Sequence, residues 1–417
     1  METEALVYVD LDGRPVLVGR LWARMRKGRD SASFEYDKSW LEREDRFSLE
    51  PALQLGPGPF HTPRDKPLFG GIGDSAPDRW GRVLMRRAER RRASIAGETP
   101  RALREIDYLL QVNDEARQGA LRFALESDGP FLSPCDAKPI PPLIDLPRLL
   151  SAAEHVAGDS DSDEDLRLLL APGSSLGGAR PKASVRDADG HLMIAKFPHR
   201  DDEMDVVRWE AVALQLAENA GIPVPDWRLE TIDARPVLLL RRFDRDSERR
   251  IPFLSAMSML GAADNEARSY MEFVDALRQY GAAPKDDMQL LWRRIVFNIM
   301  ISNTDDHLRN HGFLYAGPDG WRLAPAYDMN PVPVDIKPRV LATNIDLDDG
   351  TAALGIALDV AGYFGLNTDE AHEIARQVGY AVSNWRQEAQ LAGFGAGQIE
   401  RMASAFEHED LQASLAI

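Results

Sequence analysis

"SNTDDHLRNHGFLY" fills residues 302–315, and how it is read decides how the rest of the chain is read. Two adjacent aspartates, Asp305 and Asp306, stand with two histidines and two flanking asparagines at the end of a strongly apolar helical pattern over 286–303. Downstream, "FLYAGPDGWRLAPAYD" (313–328) offers two β runs around a Pro-Asp-Gly turn and ends on a further carboxylate, Asp328. So much ligand chemistry, placed where a helix stops and a hairpin starts, calls for a chemical reason.

Spacing supplies one. Phosphoryl transfer by protein kinases uses an aspartate that accepts the proton of the substrate hydroxyl and, five positions later, an asparagine on magnesium, with a second metal-binding aspartate after a short hairpin. Asp305 and Asn310 stand at that interval, Asp306 does not, and Asp328 occupies the later position. Magnesium takes hard oxygen ligands and keeps several waters, so one carboxylate and one amide oxygen beside ATP phosphates suffice. The rival reading is a zinc site on His307 and His311, four apart, but "HLRNH" lacks the general-base glutamate of H-E-x-x-H and "GFLY" turns towards strand. A structural role bonding backbone carbonyls suits His311 better than His307.

Upstream, "APGSSLGGARPKASV" (171–185) puts Ser174, Ser175, Gly177, Gly178 and Ala179 just before a strand, with Arg180 and Lys182 adding positive charge. Glycines let backbone N–H groups approach phosphate oxygens, although an ordinary turn explains such a loop equally well when taken alone. "KASVRDADGHLMIAKF" (182–197) reads as an antiparallel hairpin carrying Lys196, a candidate cation for nucleotide phosphates. Glu210 is its expected partner, placed among Trp209, Ala211 and Leu214 on a helix over 203–221, where an unpaired carboxylate is costly. An edge lysine and an exposed glutamate are the plainer alternatives. What favours chemistry is the order of the whole set: glycine loop, strand lysine, helix glutamate, D-x-x-x-x-N, later aspartate.

The 417 residues exceed the roughly 250–300 that one core usually holds, and more than one packed lobe is expected. With 67 acidic against 50 basic side chains, net −17, the average surface does not suit nucleic acid. The basic run "RVLMRRAERRRAS" (82–94) is read as a solvated helix face, with a nucleic-acid site as the alternative. The glycines of "PLFGGIGDSAPDRWGR" (67–82) are read as a structural turn leading into a helix rather than a phosphate cradle. One cysteine, Cys135, forms no internal disulfide, and the acidic, alternating N-terminus is unlike a signal peptide; a cytoplasmic, non-membrane protein is expected. Residues 5–22 form a hairpin pattern around "DLDG" and open a β-rich module with helices after it (1–128). A proline-dense connector (129–147), a lobe with the glycine loop and lysine strand (148–243), and a helical lobe (244–417) follow. The expected fold is α+β and two-lobed, protein-kinase-like, with a β-rich N-terminal lobe and an all-helical C-terminal lobe.

Taken together, "SSLGGARPKA" (174–183), "AKFP" (195–198), "LRRFDR" (240–245), "NTDDHLRNHGF" (303–313) and "APAYDMNP" (324–331) resemble the HipA family of bacterial serine/threonine kinases, toxins of type II toxin–antitoxin modules. "FEYDKSWL" (34–41) and "LFGGIGDSAPDRWGR" (68–82) resemble the family's N-terminal module, so the resemblance covers nearly the whole chain. It implies Asp305 as catalytic base, and Asn310 and Asp328 as magnesium ligands. His307 and Tyr327 would line the nucleotide site with Gly177, Gly178, Ala179 and Lys182. Lys196 would hold phosphates, and Leu239, Arg241 and Phe243 would form the adenine-facing hinge. It further implies autophosphorylation of the glycine-rich loop at Ser175, a helix-turn-helix antitoxin bound to operator DNA as partner, and protein substrates such as aminoacyl-tRNA synthetases. Two departures stand out. Arg241 replaces a common glutamate, and "FLSAMSMLG" (253–261) replaces a segment that often holds a Glu-Asp pair, which leaves substrate choice open. A kinase fold kept mainly as a co-repressor and a small-molecule phosphotransferase are the competing functional classes.

Overall fold

Asp12 and Gly13 both take positive φ, 52° and 77°, the two-residue geometry that lets a hairpin follow the twist of its strands. They join β1 (Glu2–Leu11) to β2 (Arg14–Arg26), paired from Glu2 opposite Arg24 to Leu11 opposite Arg14. With β3 (Arg29–Tyr36), β4 (Phe60–His61) and β5 (Leu121–Ala124) they make an antiparallel sheet in the order β4-β3-β2-β1-β5. The computed structural model describes residues 2–64, 66–127, 129–133, 139–170 and 178–417. The chain divides into two compact units, Met1–Glu203 with Trp227–Leu254, and Met204–Asp226 with Ser255–Ile417.

The first unit holds both large sheets. Its short helices α1 (Lys38–Leu41) and α2 (Gly70–Gly73) precede α3 (Arg79–Ala96), whose N-cap Asp78 accepts a hydrogen bond from Gly81 N at 2.7 Å. Helices α4 (Glu105–Leu110), α5 (Leu146–Ala157) and α6 (Asp163–Leu170) follow. The basic run on α3 meets the acidic stretch around α6: Arg87 pairs with Asp159 at 2.5 Å and with Asp161, and Arg91 pairs with Asp163 at 2.8 Å. These guanidiniums are therefore neutralised within the chain, which argues for the structural reading of that patch over a nucleic-acid site.

The second sheet runs β6 (Lys182–Arg186), β7 (Leu192–Lys196), β9 (Arg235–Arg241), β8 (Trp227–Ile232). Every apolar residue from Val237 to Leu240 on β9 is buried, as the central strand of a sheet covered on both faces requires. Val237 and Leu239 join Trp80, Leu84, Leu149, Val185 and Phe197 in one apolar cluster, which packs the sheet against α3, α5 and α6.

A buried charge network follows β9. Arg242 donates to Asp244 at 2.8 Å and to the carbonyls of Ala116 and Arg117, and Arg245 donates to the carbonyls of Gly119 and Arg117. Asp244 in turn accepts from Gly119 N at 2.7 Å. Its burial opposes ionisation, but Arg242 and Arg245 hold the carboxyl well below the usual range. The short strands β10 (Arg245–Asp246), β11 (Arg249–Arg250) and β12 (Phe253–Ser255) come next.

In the second unit α7 (Val206–Asn219) is capped by Asp205 and ends before Gly221 at φ 72°. Its Trp209 stacks on Phe394 at 4.2 Å, while Trp385 stacks on Phe406 at 4.5 Å, an aromatic core that fixes α7 against the C-terminal helices. Those are α12 (Thr368–Ser383), α13 (Trp385–Leu391), α14 (Ala396–Arg401), α15 (Ala403–Phe406) and α16 (Glu409–Ala416). Earlier come α8 (Ala256–Met259), α9 (Tyr270–Tyr280), α10 (Pro284–Met300) and α11 (Leu354–Val360). An all-helical lobe was expected here, and the unit departs from that: β13 (Gly312–Tyr315) pairs with β14 (Trp321–Leu323), Phe313 opposite Leu323. No helix among the described residues is long and apolar enough to cross a membrane.

Replacing Asp244 with alanine leaves two buried guanidiniums without a counter-charge, and a loss of about 3–5 kcal/mol is expected in urea unfolding. Because the folded carboxyl titrates below its unfolded value, the wild-type advantage is fully present above the ordinary aspartate range and is lost as pH falls through and below it.

Candidate active site

The neighbouring aspartates at the end of α10 have opposite environments. Asp305 is exposed, whereas Asp306 is 1% exposed and fully bonded into its surroundings. The Tyr270 hydroxyl donates to one Asp306 carboxylate oxygen at 2.5 Å, and Ala342 N donates to the other at 2.6 Å. Burial raises the Asp306 carboxyl to about 6, against the lowering effect of the Tyr270 hydroxyl and of the Ala342 and Thr343 amides. The two neighbours therefore differ sharply in burial, Asp305 exposed and Asp306 enclosed.

Asn310 closes the loop. Its Nδ2 donates to the Asp305 carbonyl at 2.7 Å, and its backbone N–H donates to His307 O at 2.8 Å. His307 precedes the 3-10 turn Leu308–Asn310; it is half-buried, and its Nδ1 has no hydrogen-bond partner among the described residues. His311 lies apart from it in role. Its ring sits between Tyr270 and Phe273, 5.3 Å from each, with Nε2 3.2 Å from Asp306 O. Burial, aided by the Arg294 charge, lowers its pKa to about 3. A neutral, enclosed imidazole with Nε2 directed at a carbonyl does not form a zinc pair with His307.

The other carboxylate arrives after the β13–β14 hairpin. Tyr327 is half-buried and donates its hydroxyl to Arg309 O at 2.9 Å, which ties this segment to the loop that carries Asn310. Asp328 is half-buried with φ 58°, a left-handed conformation that aspartate tolerates and that clusters at functional positions. Two residues on, Asn330 N donates to Asn303 Oδ1 at 3.2 Å, and Asn303 Nδ2 donates to Asn298 Oδ1 at 3.0 Å. Hydrogen bonds thus link Asp305, His307 and Asn310 within one loop of the second unit and tie Tyr327, the residue before Asp328, to that loop.

The first unit holds the remaining candidates. Ser174, Ser175 and Gly177 lie outside the described residues, as does Cys135. Gly178 has φ 93° and its carbonyl accepts from Trp80 N at 3.4 Å, while Ala179 is exposed. Lys182 and Lys196 face each other across the β6–β7 register. Lys182 is 4% exposed and donates to Asp78 at 3.0 Å, a buried ion pair. Lys196 is half-buried at the end of β7. Leu239 has its side chain in the apolar cluster, with Ala195 opposite it on one neighbouring strand and Arg228 on the other. Arg241 and Phe243, at and after the strand end, are half-buried. Glu210 is buried on α7, in the second unit.

Sequence reasoning missed Tyr270, Asn298 and Thr343, whose partners lie tens of residues away, and Asp78, whose partner Lys182 is over a hundred residues on. A separate trio, Asp187, Asp189 and His191, brings potential ligand atoms within 4.8 Å on the β6–β7 turn, where Asp187 accepts from the backbone N–H of both others.

A mixed α/β chain with this aspartate–asparagine loop and a following hairpin aspartate has the architecture of kinase-like phosphotransferases. The family model described as HipA-like C-terminal domain matches residues 174–385, half of the chain, and the chain belongs to that family. A protein of Sinorhizobium fredii named "Putative kinase Y4mE" is 26% identical over 348 residues, 75% of this chain and 75% of that one. A protein of Haemophilus influenzae named "Putative kinase" is 22% identical over 236 residues, 50% of this chain and 68% of its own. Among solved structures, HipA of Shewanella oneidensis, determined with HipB and its operator DNA, superposes with a TM-score of 0.66 at 15% identity, over 99% of this chain and 96% of that one. That likeness establishes a shared fold.

Tyr270→Phe removes the shortest donor to Asp306. A destabilisation of about 1–3 kcal/mol is expected at pH 7.5, where the buried carboxylate is charged, and a clearly smaller one at pH 5, below its pKa of about 6. Denaturant midpoints of both proteins at the two pH values check this.

Proposed function

We propose that the chain is an ATP- and magnesium-dependent serine/threonine protein kinase with Asp305 as its catalytic base. The observation that carries this reading is the contrast between the two aspartates: one is locked inside by Tyr270 and two backbone amides, the other is left exposed on a loop braced by Asn310. An exposed carboxylate on a braced loop suits general-base work, because a substrate hydroxyl can reach it and the backbone that carries it is held by its neighbours.

The residues present fit a magnesium ion. With Nδ2 of Asn310 on the Asp305 carbonyl, the atom its side chain presents elsewhere is the hard amide oxygen, and Asp328 adds a carboxylate on a segment tied to the same loop. Bound there, the ion would neutralise charge on the ATP phosphates. Asp305 takes the proton of a substrate serine or threonine hydroxyl as that oxygen bonds to the γ-phosphorus, the bond to the β-bridging oxygen breaks, and ADP leaves. By the family resemblance, Lys196 would supply positive charge to the phosphates, Gly178 and Ala179 would belong to the glycine-rich loop, Arg241 and Phe243 would contribute to adenine binding, and Glu210 would be the helix glutamate of the kinase pattern.

The family supports three finer readings. Ser175 is the autophosphorylation position, where nearly two added negative charges would repel ATP phosphates. A helix-turn-helix antitoxin is the partner, through which the chain meets operator DNA, as the Shewanella oneidensis complex contains HipB and DNA. An aminoacyl-tRNA synthetase is the proposed substrate class.

Incubation with labelled ATP and a cell lysate is expected to label this chain and a lysate protein, and Asp305→Ala and Asp328→Ala should each reduce labelling at least about a hundredfold while circular dichroism stays unchanged. Near wild-type labelling by either variant would remove that residue from the chemistry. Phosphate found by mass spectrometry only at residues other than Ser175 would overturn the autophosphorylation assignment.

A further inference from the structure

Residues 330–343 run along the loop that carries Asp305 and bond to it residue by residue. Asn330 N donates to the Asn303 side chain, Val332 N to Ser302 O at 3.3 Å, and Arg339 Nε to Ser302 Oγ at 3.0 Å. The Lys337 ammonium donates to Thr304 O at 2.8 Å. Thr343 Oγ1 donates to Asp306 O at 2.7 Å, and the Ala342 and Thr343 amides donate to the Asp306 carboxylate. The two carbonyls that flank Asp305 in the chain, those of Thr304 and Asp306, are thus each held by a side chain of one downstream segment, and the Asp305 carbonyl is held by Asn310.

We infer that Lys337 and Thr343 are positioning residues for Asp305: Lys337 clamps the peptide group that precedes it and Thr343 the one that follows Asp306, on either side of the group that Asn310 holds, so that the segment after Asp328 sets the direction of the catalytic carboxylate. A peptide unit held at its carbonyl cannot rotate about its flanking bonds without breaking that bond. With both neighbouring units fixed, little backbone freedom remains at Asp305 beyond its side-chain torsions. Asp306 anchors the arrangement, since its burial is tolerable only while Tyr270, Ala342 and Thr343 satisfy it. The clamp also makes the loop's order depend on residues that directly follow Asp328, so the base and the second carboxylate segment are set together.

The inference rests on Asp305 being the base, and its test separates the two. Thr343→Val keeps the shape and removes the hydroxyl, Lys337→Met keeps the stem and removes the ammonium, and Thr343→Ser and Lys337→Arg restore a donor; Asp306→Ala is avoided because it endangers folding. Single-turnover transfer from labelled ATP is expected to slow about ten- to a hundredfold in Thr343→Val and Lys337→Met, with KM for ATP within about twofold, and to return to near wild type in the donor-restoring variants. Hydrogen–deuterium exchange of the full chain should show faster exchange confined to residues 302–310 in the two slow variants. Unchanged exchange there, or faster exchange with an unchanged transfer rate, overturns the clamp as a positioning device. A wild-type chain that transfers no phosphate while the variants still loosen 302–310 sinks the kinase reading and leaves the clamp standing.

Discussion

A carboxylate buried at 1% exposure depends on every donor around it, and Asp306 is where the second unit meets that constraint. Tyr270 comes from α9, Ala342 and Thr343 from the segment after the hairpin, and Asp306 itself from the end of α10. Three pieces of chain far apart in sequence are fixed at one point. The next residue back, Asp305, inherits a defined direction without contributing to the anchor. A structural aspartate and an exposed one side by side turn a flexible loop into a rigid mount for a single carboxylate.

The same economy recurs in the first unit, where conspicuous charged residues serve structure. Arg242, Asp244 and Arg245 clasp residues 116–119 through buried bonds. Lys182 gives its ammonium to Asp78, and Trp80 donates its indole N–H to Lys182 O at 3.0 Å, so the first turn of α3 holds the strand that leaves the glycine-rich loop. Motifs that mark the family in the sequence are, in these cases, the joints of the fold. The reason is energetic: an ion pair out of water needs good geometry on both sides, and losing either partner is expensive.

The β hairpins and helices were legible wherever local chemistry was strong. The Asp-Gly turn of β1–β2, the Asp78 cap of α3 and the apolar stripe of α7 each follow from a few adjacent residues. The β13–β14 hairpin was readable from its Pro-Asp-Gly turn, yet it breaks the all-helical description of the lobe that holds it. The surroundings of Leu239 were not legible. A strand residue near a hinge looks the same in sequence whether its side chain faces a ligand or a core, and only pairing on both edges together with the cluster around Trp80 shows that it faces a core.

By itself, the sequence determined the chemical inventory and its spacing: Asp305 and Asn310 five apart, Asp328 after a hairpin, His311 better suited to structure than to metal. Those are one-dimensional facts, fixed by the motif that phosphoryl transfer requires. The tertiary structure alone decided which aspartate is buried, that Lys182 belongs to Asp78, and that Lys337 and Thr343 hold the carbonyls of Thr304 and Asp306, the residues on either side of Asp305. Burial and hydrogen-bond partnership depend on groups brought together from more than thirty positions away, and no local pattern records which of two adjacent carboxylates the folded chain turns inward.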